Sequence, residues 1–346
     1  MEGIYLSKVY FIKNSESDYN KLGKDALELL KKIVSETGHQ FEKEVPIKVH
    51  FGEKGNKTFI PAECYSEIIN YLKEQGVSPF YIETNVLYRG SRTTSDLHIE
   101  TARSHGFTQI PIIIADGDIG TDYHEIEINK DHISKCKIGK GYGKFKQFIV
   151  LSHFKGHIEA GFGGALKQLG MGFAARSGKL EQHSGISPVV RTKKCISCGI
   201  CMEKCNYNAI QISDSAVIDD GKCIGCAGCI AVCPEGAIVN TWGGEHFLEK
   251  LAEYAYGAAK DKDIIYITFV HNITKDCDCS GVPMKPITSN IGILASKDPV
   301  ALDTACLDLV QKNSGQKLFE KGRLTLRHAE KIGLGTMEYQ LIGNVK

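Results

Sequence analysis

The sequence predicts an α/β protein with a two-lobed architecture of mostly parallel sheets, into which a small cysteine-rich α+β domain is inserted. Three observations predict this class. Short apolar segments alternate with amphipathic ones, as is typical of a parallel sheet covered by helices on both faces. Eight of the 13 cysteines fall within 39 residues, in two copies of one spacing pattern. The strand–helix alternation stops before that segment and resumes after it.

Five apolar segments in the first part of the chain predict strands, at residues 3–12, 46–51, 80–84, 111–115 and 147–151. Three segments with apolar residues at helical spacing predict helices, at residues 22–34, 61–73 and 95–104. Gly38, Gly76 and Gly106 are expected to end these helices, and Pro61 suits a first helical turn. The alternation predicts parallel strands joined by crossover helices.

The alternation resumes after the cysteines, with helices expected at residues 245–260 and 324–331 and strands at 264–270 and 291–295. A further helix is expected from Pro299, capped by Asp298, with Asp303 facing inward. The predicted domains are therefore residues 1–187, the insert 188–242, and the continuation 243–346. Pro188 and the Trp242-Gly-Gly turn are the expected seams.

The insert contains two runs of the form C-x-x-C-x-x-C-x-x-x-C, which is the spacing of bacterial ferredoxins with two 4Fe–4S clusters. In that pattern the fourth cysteine of each run binds the other cluster. One cluster is assigned to Cys195, Cys198, Cys201 and Cys233, and the other to Cys223, Cys226, Cys229 and Cys205. Structural zinc is the alternative, but zinc needs no third evenly spaced thiolate with a remote fourth. Asn206 replaces the proline that follows the second run, Pro234, and leaves the spacing intact.

Composition narrows the classes of partner and location. A net charge of +1 gives no sign of a nucleic-acid-binding protein. No apolar run reaches the length of a membrane span, and the start of the sequence lacks a signal-peptide layout. We therefore expect a cytoplasmic protein, in which reducing conditions leave the cysteines available to metal.

Ligands of parallel α/β sheets bind beyond the carboxyl ends of the strands. This rule directs attention to the loops after Phe51, Thr84, Leu151 and Val270. The third loop is a glycine-rich segment, residues 152–167, whose helix start is expected to offer free N–H groups to an anion. It contributes His153, His157 and Lys167, and His183 follows it; ordinary surface histidines on a tight turn are the alternative.

Four features together resemble the iron–sulfur family catalogued as domain of unknown function 362. They are the segment from His153 through Gly161-Phe-Gly-Gly to Lys167, the double cysteine run, Asp276-Cys-Asp-Cys279, and the segment from Ile291 to Asp298-Pro-Val. The resemblance covers nearly the whole chain. It implies iron–sulfur clusters but no established reaction.

The segment His157-x-x-Ala-Gly-Phe-x-Gly-Gly-x-Lys167 is also similar to a loop of the nickel-pincer lactate racemases. That resemblance implies an acid–base role for His157, a cofactor attached to Lys167, and a metal ligand at His183. The second acid–base histidine of that family lies in a Gly-Thr-His-Arg motif, where this chain has Gly90-Ser-Arg92. The missing histidine argues against racemisation.

The loop from His271 to Cys279 contains two thiols separated by one residue. Flanking carboxylates and a histidine suit either a further metal or a redox pair, whereas a pair of surface thiols is the simpler interpretation. The hypothesis is an extra metal or small-molecule cofactor site formed by His183, Cys277 and Cys279. Candidates for catalysis are His157, Lys167, Cys277 and Cys279.

Several other features have no specific motif. Lysines 135, 137, 140, 144 and 146 are interpreted as a solvated loop, or as a surface for an acidic partner or an anionic substrate. The loop 52–57 and the pair Arg89 and Arg92 suit a phosphate or carboxylate. No phosphate-loop or dinucleotide motif is present. Cys64 and Cys306 are expected in the core.

These observations favour an oxidoreductase or redox subunit, in which the clusters supply electrons to a substrate or metal in the α/β cleft. A redox partner protein and a small-molecule substrate follow from this interpretation. A simple ferredoxin-type carrier needs only the 55-residue insert, and leaves the rest of the chain unexplained. A non-redox binding protein with structural clusters is the third possibility.

Overall fold

The computed structural model describes residues 6–183 and 187–343. Its strands, in chain order, are β1 (Ser7–Lys13), β2 (Glu44–Lys48), β3 (Ser78–Glu83), β4 (Ile112–Ile114), β5 (Tyr123–Glu127), β6 (Lys135–Gly139), β7 (Gln147–His153), β8 (Lys155–His157), β9 (Gly161–Gly163), β10 (Val189–Val190), β11 (Ile210–Ile212), β12 (Ala216–Ile218), β13 (Ile238–Val239), β14 (Asp263–Val270), β15 (Gly292–Ser296) and β16 (Tyr339–Gly343).

The helices are α1 (Tyr19–Thr37), α2 (Ser66–Glu74), α3 (Ser95–Ser104), α4 (Ala165–Gly170), α5 (Arg176–His183), α6 (Ile200–Glu203), α7 (Gly228–Val232), α8 (Phe247–Ala259), α9 (Pro299–Ser314) and α10 (Arg323–Lys331). Short 3₁₀ turns cover Ala62–Tyr65, Lys140–Lys144, Thr192–Lys194 and Glu320–Gly322. Within the described ranges, no helix combines the length and the apolar character that crossing a membrane requires.

Eight strands form one central sheet in the order β16-β1-β15-β14-β7-β2-β3-β4. Five of the seven neighbouring pairs are parallel, and the two that involve β15 are antiparallel. Strands β7 and β14, which come before and after the cysteine-rich segment in sequence, are hydrogen-bonded neighbours. The expected division into two lobes is therefore wrong for the sheet, because strands from both sides of the insert share it.

Helices cover both faces of this sheet, as the strand–helix alternation predicted. Along β14, Ile264 and Tyr266 belong to one apolar core, while Ile265 and Ile267 belong to the other. This alternation is the two-residue period of a strand that is buried on both faces. Helices α1, α2 and α3 contribute to the second core, and α4, α8, α9 and α10 to the first.

The helix ends follow the predicted signals. Gly38 has a left-handed backbone at the end of α1, and Asp18 caps its start. At the start of α9 the Asp298 side chain accepts hydrogen bonds from the N–H groups of Val300 and Ala301, which confirms its predicted capping role. Cys64 and Cys306 are fully buried, as expected.

The basic run is not the loop that the sequence suggested. Lys135 and Lys137 lie in β6, which pairs antiparallel with β5, and Lys140 and Lys144 bound the following 3₁₀ turn. The glycines in this stretch had suggested a loop. In the structure Gly139 and Gly141 pack closely against Ala115, where a Cβ at either position would meet its backbone at 3.0–3.3 Å.

The two halves of the cysteine-rich segment, which are offset by 28 residues, have the same pattern of backbone conformation. Left-handed φ angles occur at Ser197, Gly199 and Asn208, and again at Gly225, Ala227 and Gly236. Each half carries one short helix, α6 or α7, and β10 pairs with β13 while β11 pairs with β12. The duplicated sequence therefore forms a duplicated structure.

Candidate functional site

A cleft of about 790 Å³, including its opening to solvent, lies at the carboxyl ends of the parallel strands. His50 reaches it from the loop after β2, Thr84 and Arg92 from the segment after β3, and Lys167 from α4, which follows β7–β9. Cys277 and Cys279 reach it from the loop after β14. The loops predicted after Thr84, Leu151 and Val270 therefore contribute to one cavity, which confirms that prediction for three of the four; near the fourth, the lining residue is His50, just before Phe51.

The glycine-rich segment packs against other parts of the chain at two of its glycines. The N–H of Gly156 donates to the carbonyl of Thr274 at 2.8 Å, and a Cβ on Gly156 would lie 1.9 Å from the carbonyl oxygen of Lys275. A Cβ on Gly164 would lie 2.3 Å from Oδ1 of Asp303. Gly156 thus allows the C-x-C loop to pack beside β8, and Gly164 allows α9 to reach the start of α4.

The buried carboxyl group of Asp303 holds the start of α4. Its two oxygens accept hydrogen bonds from the N–H groups of Ala165 and Leu166, each at 2.8 Å. Burial raises the pKa of Asp303 to about 7, although these two hydrogen bonds act in the opposite direction. The expectation that a ligand anion would take these N–H groups is therefore wrong. The inward orientation predicted for Asp303 is confirmed.

Cys277 and Cys279 are not surface thiols. Cys277 is 5% exposed and Cys279 is partly buried, and both line the cleft. A hydrogen bond from the Cys279 thiol lowers the pKa of Cys277; burial opposes this effect, and Lys167 and Lys155 add to it. Donating that hydrogen bond raises the pKa of Cys279. Nζ of Lys167, which lies 3.9 Å from the Cys277 sulfur, and the directions of the two pKa shifts favour Cys277 as the thiolate of the pair.

Asp278, between the two cysteines, anchors their loop inside the protein. Its Oδ2 lies 2.8 Å from Nδ1 of His153 and 3.2 Å from Nζ of Lys155. Burial raises the pKa of Asp278, but His153 and Lys155 lower it by more, so the carboxylate is ionised. Nε2 of His153 faces the carbonyl of His271 at 2.7 Å, so both ring nitrogens face acceptors. His153 and Lys155 therefore position the cysteine loop.

The tautomer of His157 follows from its backbone partners. Its Nδ1 accepts hydrogen bonds from the N–H groups of Glu159 and Ala160, at 3.2 and 3.0 Å. Burial and the nearby Lys167 hold the pKa of His157 well below its usual range, so the ring is neutral. A neutral ring that accepts at Nδ1 carries its proton on Nε2. The group that His157 can offer to the cleft is therefore an N–H donor.

His157, and not His183, is the histidine that groups with the two thiols. Ring nitrogen and sulfur atoms of His157, Cys277 and Cys279 lie within 4.8 Å of one another. His183 lines the same cleft, but its Nδ1 lies 2.9 Å from a carboxylate oxygen of Glu159, and its ring stacks on Phe247. The set of His183, Cys277 and Cys279 proposed from sequence is corrected in this respect.

A second network, which sequence reasoning did not assemble, supports the cleft from the other side. Nε of the buried Arg92 lies 3.1 Å from the Glu53 carboxylate, and its Nη2 donates to the Tyr88 hydroxyl at 2.8 Å. That hydroxyl donates to the carbonyl of Cys279 at 3.0 Å. The carboxylate that Arg92 binds is thus one of the protein's own. The sequence offered one signal for this network: β2 and β3 are neighbouring strands, so the loop that carries Glu53 and the segment that carries Tyr88 and Arg92 lie close together.

Basic side chains dominate the cleft wall, which Arg92, Lys155, Lys167 and Lys179 line together with one carboxylate, that of Glu83. Arg92 and Lys155 are paired with Glu53 and Asp278. Burial lowers the pKa of Lys179 to about 8. Among the residues described, no carboxylate lies within ion-pair distance of Lys167, whose polar contact is the Cys277 sulfur. Lys167 is therefore the cation best placed to meet an anionic ligand.

The eight clustered cysteines line two separate cavities. One is bounded by Cys195, Cys198, Cys201 and Cys233, and the other by Cys205, Cys223, Cys226 and Cys229. The N–H groups of Ala209 and Ala237, which are 28 residues apart, donate to the sulfurs of Cys205 and Cys233 at 3.4 and 3.2 Å. The two groups are those that the spacing had paired. Four thiols around each cavity form a donor set that fits an iron–sulfur cluster.

The cysteine-rich segment packs directly on the cleft wall. Leu87 lines the cleft and also belongs to the apolar core of that segment, together with Cys201 and Ile230. Arg176 donates to the carbonyls of Leu87 and Ile119 at 3.1 and 2.8 Å. Burial lowers the pKa of Arg176 to about 10, against the charges of Asp116, Cys229 and Cys226. Leu87 and Arg176 thus connect the cleft to the cysteines.

The chain belongs to the family described as domain of unknown function (DUF362), whose model matches residues 45–308. That range includes the cleft residues and all eight clustered cysteines. A comparison with curated proteins finds no match.

Two solved structures are similar to the fold. The lactate racemase apoprotein from Thermoanaerobacterium thermosaccharolyticum shares 14% identity with a TM-score of 0.45, covering 88% of this chain and 57% of that one. A Thermotoga maritima protein from a structural genomics consortium shares 9% identity with a TM-score of 0.45, covering 87% and 61%. The chain thus spans about three fifths of the length of the structures that it matches.

Proposed function

We propose that the protein is a cytoplasmic iron–sulfur oxidoreductase, in which two 4Fe–4S clusters supply electrons to a small anionic substrate bound in the α/β cleft. The observation that carries the proposal is the division of eight cysteines into two cavities of four. Each cavity combines three cysteines from one run with the fourth cysteine of the other, as two-cluster ferredoxins require.

Clusters explain this donor set better than zinc does. A structural zinc site uses two C-x-x-C pairs and has no need for a third evenly spaced thiol. Backbone N–H groups point at the sulfurs of Cys205, Cys233 and Cys195, the last from Ala216 at 3.3 Å. Hydrogen bonds to cluster sulfurs are one means by which proteins set the reduction potential. Thiol ligation also requires reduced cysteines, which supports a cytoplasmic setting.

The bound clusters would supply one-electron transfer; the remaining tasks fall to the chain's own residues. Lys167 offers positive charge to an anionic group of the substrate. Asp303 fixes the helix that carries Lys167, and Asp278 fixes the thiol loop. Leu87 and Arg176 hold the cysteine-rich segment against the cleft.

A redox partner is part of the proposal, because the electrons must come from outside the chain. The surface of the cysteine-rich segment exposes large apolar side chains, and Cys198 is itself exposed. The apolar side chains, each more than two fifths exposed, are Ile196, Ile200, Met202, Tyr207 and Val217. An exposed apolar patch beside a cluster site suits a transient protein contact.

The test is anaerobic purification followed by iron and sulfide analysis and a reductive titration monitored by electron paramagnetic resonance. The Cys198→Ser variant should lose about half of the iron, because it removes one ligand of one cluster. Cys306→Ser is the matched control, since that thiol is buried between α9 and the sheet. Zinc without iron would refute the clusters. Clusters that accept electrons only when the chain unfolds would refute the redox role.

A further inference from the structure

The C-x-C loop carries chemistry that the cluster proposal does not use. Cys277 and Cys279 lie in the cleft with their sulfurs within 4.8 Å of each other. Two ammonium groups, from Lys155 and Lys167, face Cys277. The loop is fixed by Asp278 to the sheet edge, and by the Tyr88 hydroxyl to the Arg92 network.

The same surroundings argue against a metal at these thiols. Nδ1 of His157 is occupied by two backbone N–H groups, so its lone pair is not available, and Nε2 carries the proton. His183 is paired with Glu159. A cation at the sulfurs would also lie beside two ammonium groups, which repel it. The described residues therefore offer two sulfurs in a positive field, which favours a thiolate.

We propose that Cys277 and Cys279 form a redox-active dithiol that reduces a small, negatively charged organic disulfide in the cleft. The proposal that the dithiol reduces the substrate depends only on the residues of the cleft. The return of the couple to its dithiol form rests on the proposed function, since it needs the two electrons that two clusters can supply.

The substrate class follows from the nucleophile and from the wall around it. A thiolate with a second thiol beside it attacks a disulfide and is then resolved by its neighbour. Lys167, which has no carboxylate partner among the described residues, selects for negative charge. Cys277 lines the cleft and is only 5% exposed, which favours a small disulfide over one on the surface of a folded protein.

The reaction balances in two substitutions. The Cys277 thiolate attacks one substrate sulfur, the substrate S–S bond breaks, and half of the substrate leaves as a thiolate. The thiol of Cys279 gives its proton to that leaving group and attacks the Cys277 sulfur, releasing the second half as a thiolate. The substrate has gained two electrons, and the protein holds a Cys277–Cys279 disulfide. Two electrons, one from each cluster, and one proton from solvent restore the thiolate and the thiol.

The N–H at Nε2 of His157 has a defined place in this scheme. It can donate a hydrogen bond to a thiolate, whether that of Cys277 or that of the leaving group, without giving up its proton. His157 is therefore a positioning residue for negative charge on sulfur.

The experiment uses the cluster-loaded protein under anaerobic conditions, with 5,5′-dithiobis(2-nitrobenzoate), a small dianionic disulfide, as the probe. Wild type should release both halves of the probe rapidly and retain none. The Cys279→Ser variant should release one half and keep the other on Cys277, where peptide mass spectrometry finds it. Cys277→Ser should lose the rapid phase. Cys306→Ser, which removes a thiol buried away from the cleft, should behave as wild type.

Bis(2-hydroxyethyl) disulfide, an uncharged probe, should react more slowly than the dianion, and Lys167→Gln should reduce that preference. A rapid phase that survives in Cys277→Ser would overturn the proposal. So would a stoichiometric extra metal that disappears only when both thiols are replaced. Iron is counted in the same samples: a full iron content without a rapid phase refutes the dithiol and leaves the clusters. A rapid phase without iron refutes the clusters and leaves the dithiol.

Discussion

Replacement of Lys167 by glutamine tests the charge environment of Cys277 most simply. The ammonium nitrogen lies 3.9 Å from the thiolate sulfur. At an effective dielectric constant of about 20, two unit charges at that distance attract by about 4 kcal/mol. Lys167 is partly exposed, so solvent screening reduces this attraction to about 1–3 kcal/mol. The substitution removes this attraction to the thiolate, so it should raise the pKa of Cys277.

The assay is the rate of carboxamidomethylation of Cys277 as a function of pH, measured by peptide mass spectrometry. The rate follows the thiolate fraction, so the profile of Lys167→Gln should move to higher pH than that of wild type. The other groups that face the pair are Lys155, Asp278, His157 and Arg92, and they are unchanged in the variant.

Lys137→Gln is the matched control, because Lys137 is paired with Glu181 and does not line the cleft. Its profile should coincide with that of wild type. An unshifted profile in Lys167→Gln, with the fold intact, would contradict the assignment of Lys167 as the partner of the thiolate.

Three further predictions address the structure around the site. Glu83→Gln leaves Lys48 buried without its partner at 2.9 Å, and should lower the free energy of unfolding by about 3–5 kcal/mol at neutral pH, measured by chemical denaturation. Burial already lowers the pKa of Lys48, and losing Glu83 lowers it further, so this loss should shrink as the pH rises toward 10; a loss independent of pH would contradict the buried charge. Gly164→Ala places a Cβ 2.3 Å from Asp303 and should cost about 1–3 kcal/mol, whereas Gly38→Ala, where nothing lies within 4 Å, tests the left-handed backbone alone. Arg176→Gln removes a positive charge near Cys226 and Cys229. It should therefore lower the reduction potential of the cluster proposed at those cysteines in a spectroscopic titration, and leave that of the other proposed cluster nearly unchanged.

The sequence carried more information about the position of the site than about the hydrogen bonds and ion pairs that its residues form. Parallel strands end at one edge of the sheet, so the loops after β2, β3, β7 and β14 had to converge. The carboxylate partners were not predictable, because Glu53, Asp278 and Asp303 reach their partners across long separations in the chain. Those contacts depend on how the loops turn, which local propensity does not specify.

The histidines show the same limit. The resemblance to the nickel-pincer lactate racemases favoured His183 as a companion of the thiols. Its ring instead contacts Glu159 and Phe247, and both contacts depend on tertiary packing. His157 was recognised as a candidate, whereas its tautomer depends on two backbone N–H groups that only the hairpin places. The grouping of the eight cysteines could be predicted from the sequence, because it follows from their spacing along the chain within each 28-residue repeat.

The most direct test of the account is the iron and acid-labile sulfide content of the protein purified without oxygen. Two 4Fe–4S clusters predict about eight irons and about eight sulfides per chain, with reversible bleaching of the visible absorbance on reduction. Four or fewer irons in a fully loaded, undamaged sample, or zinc at the eight cysteines, would contradict the central claim.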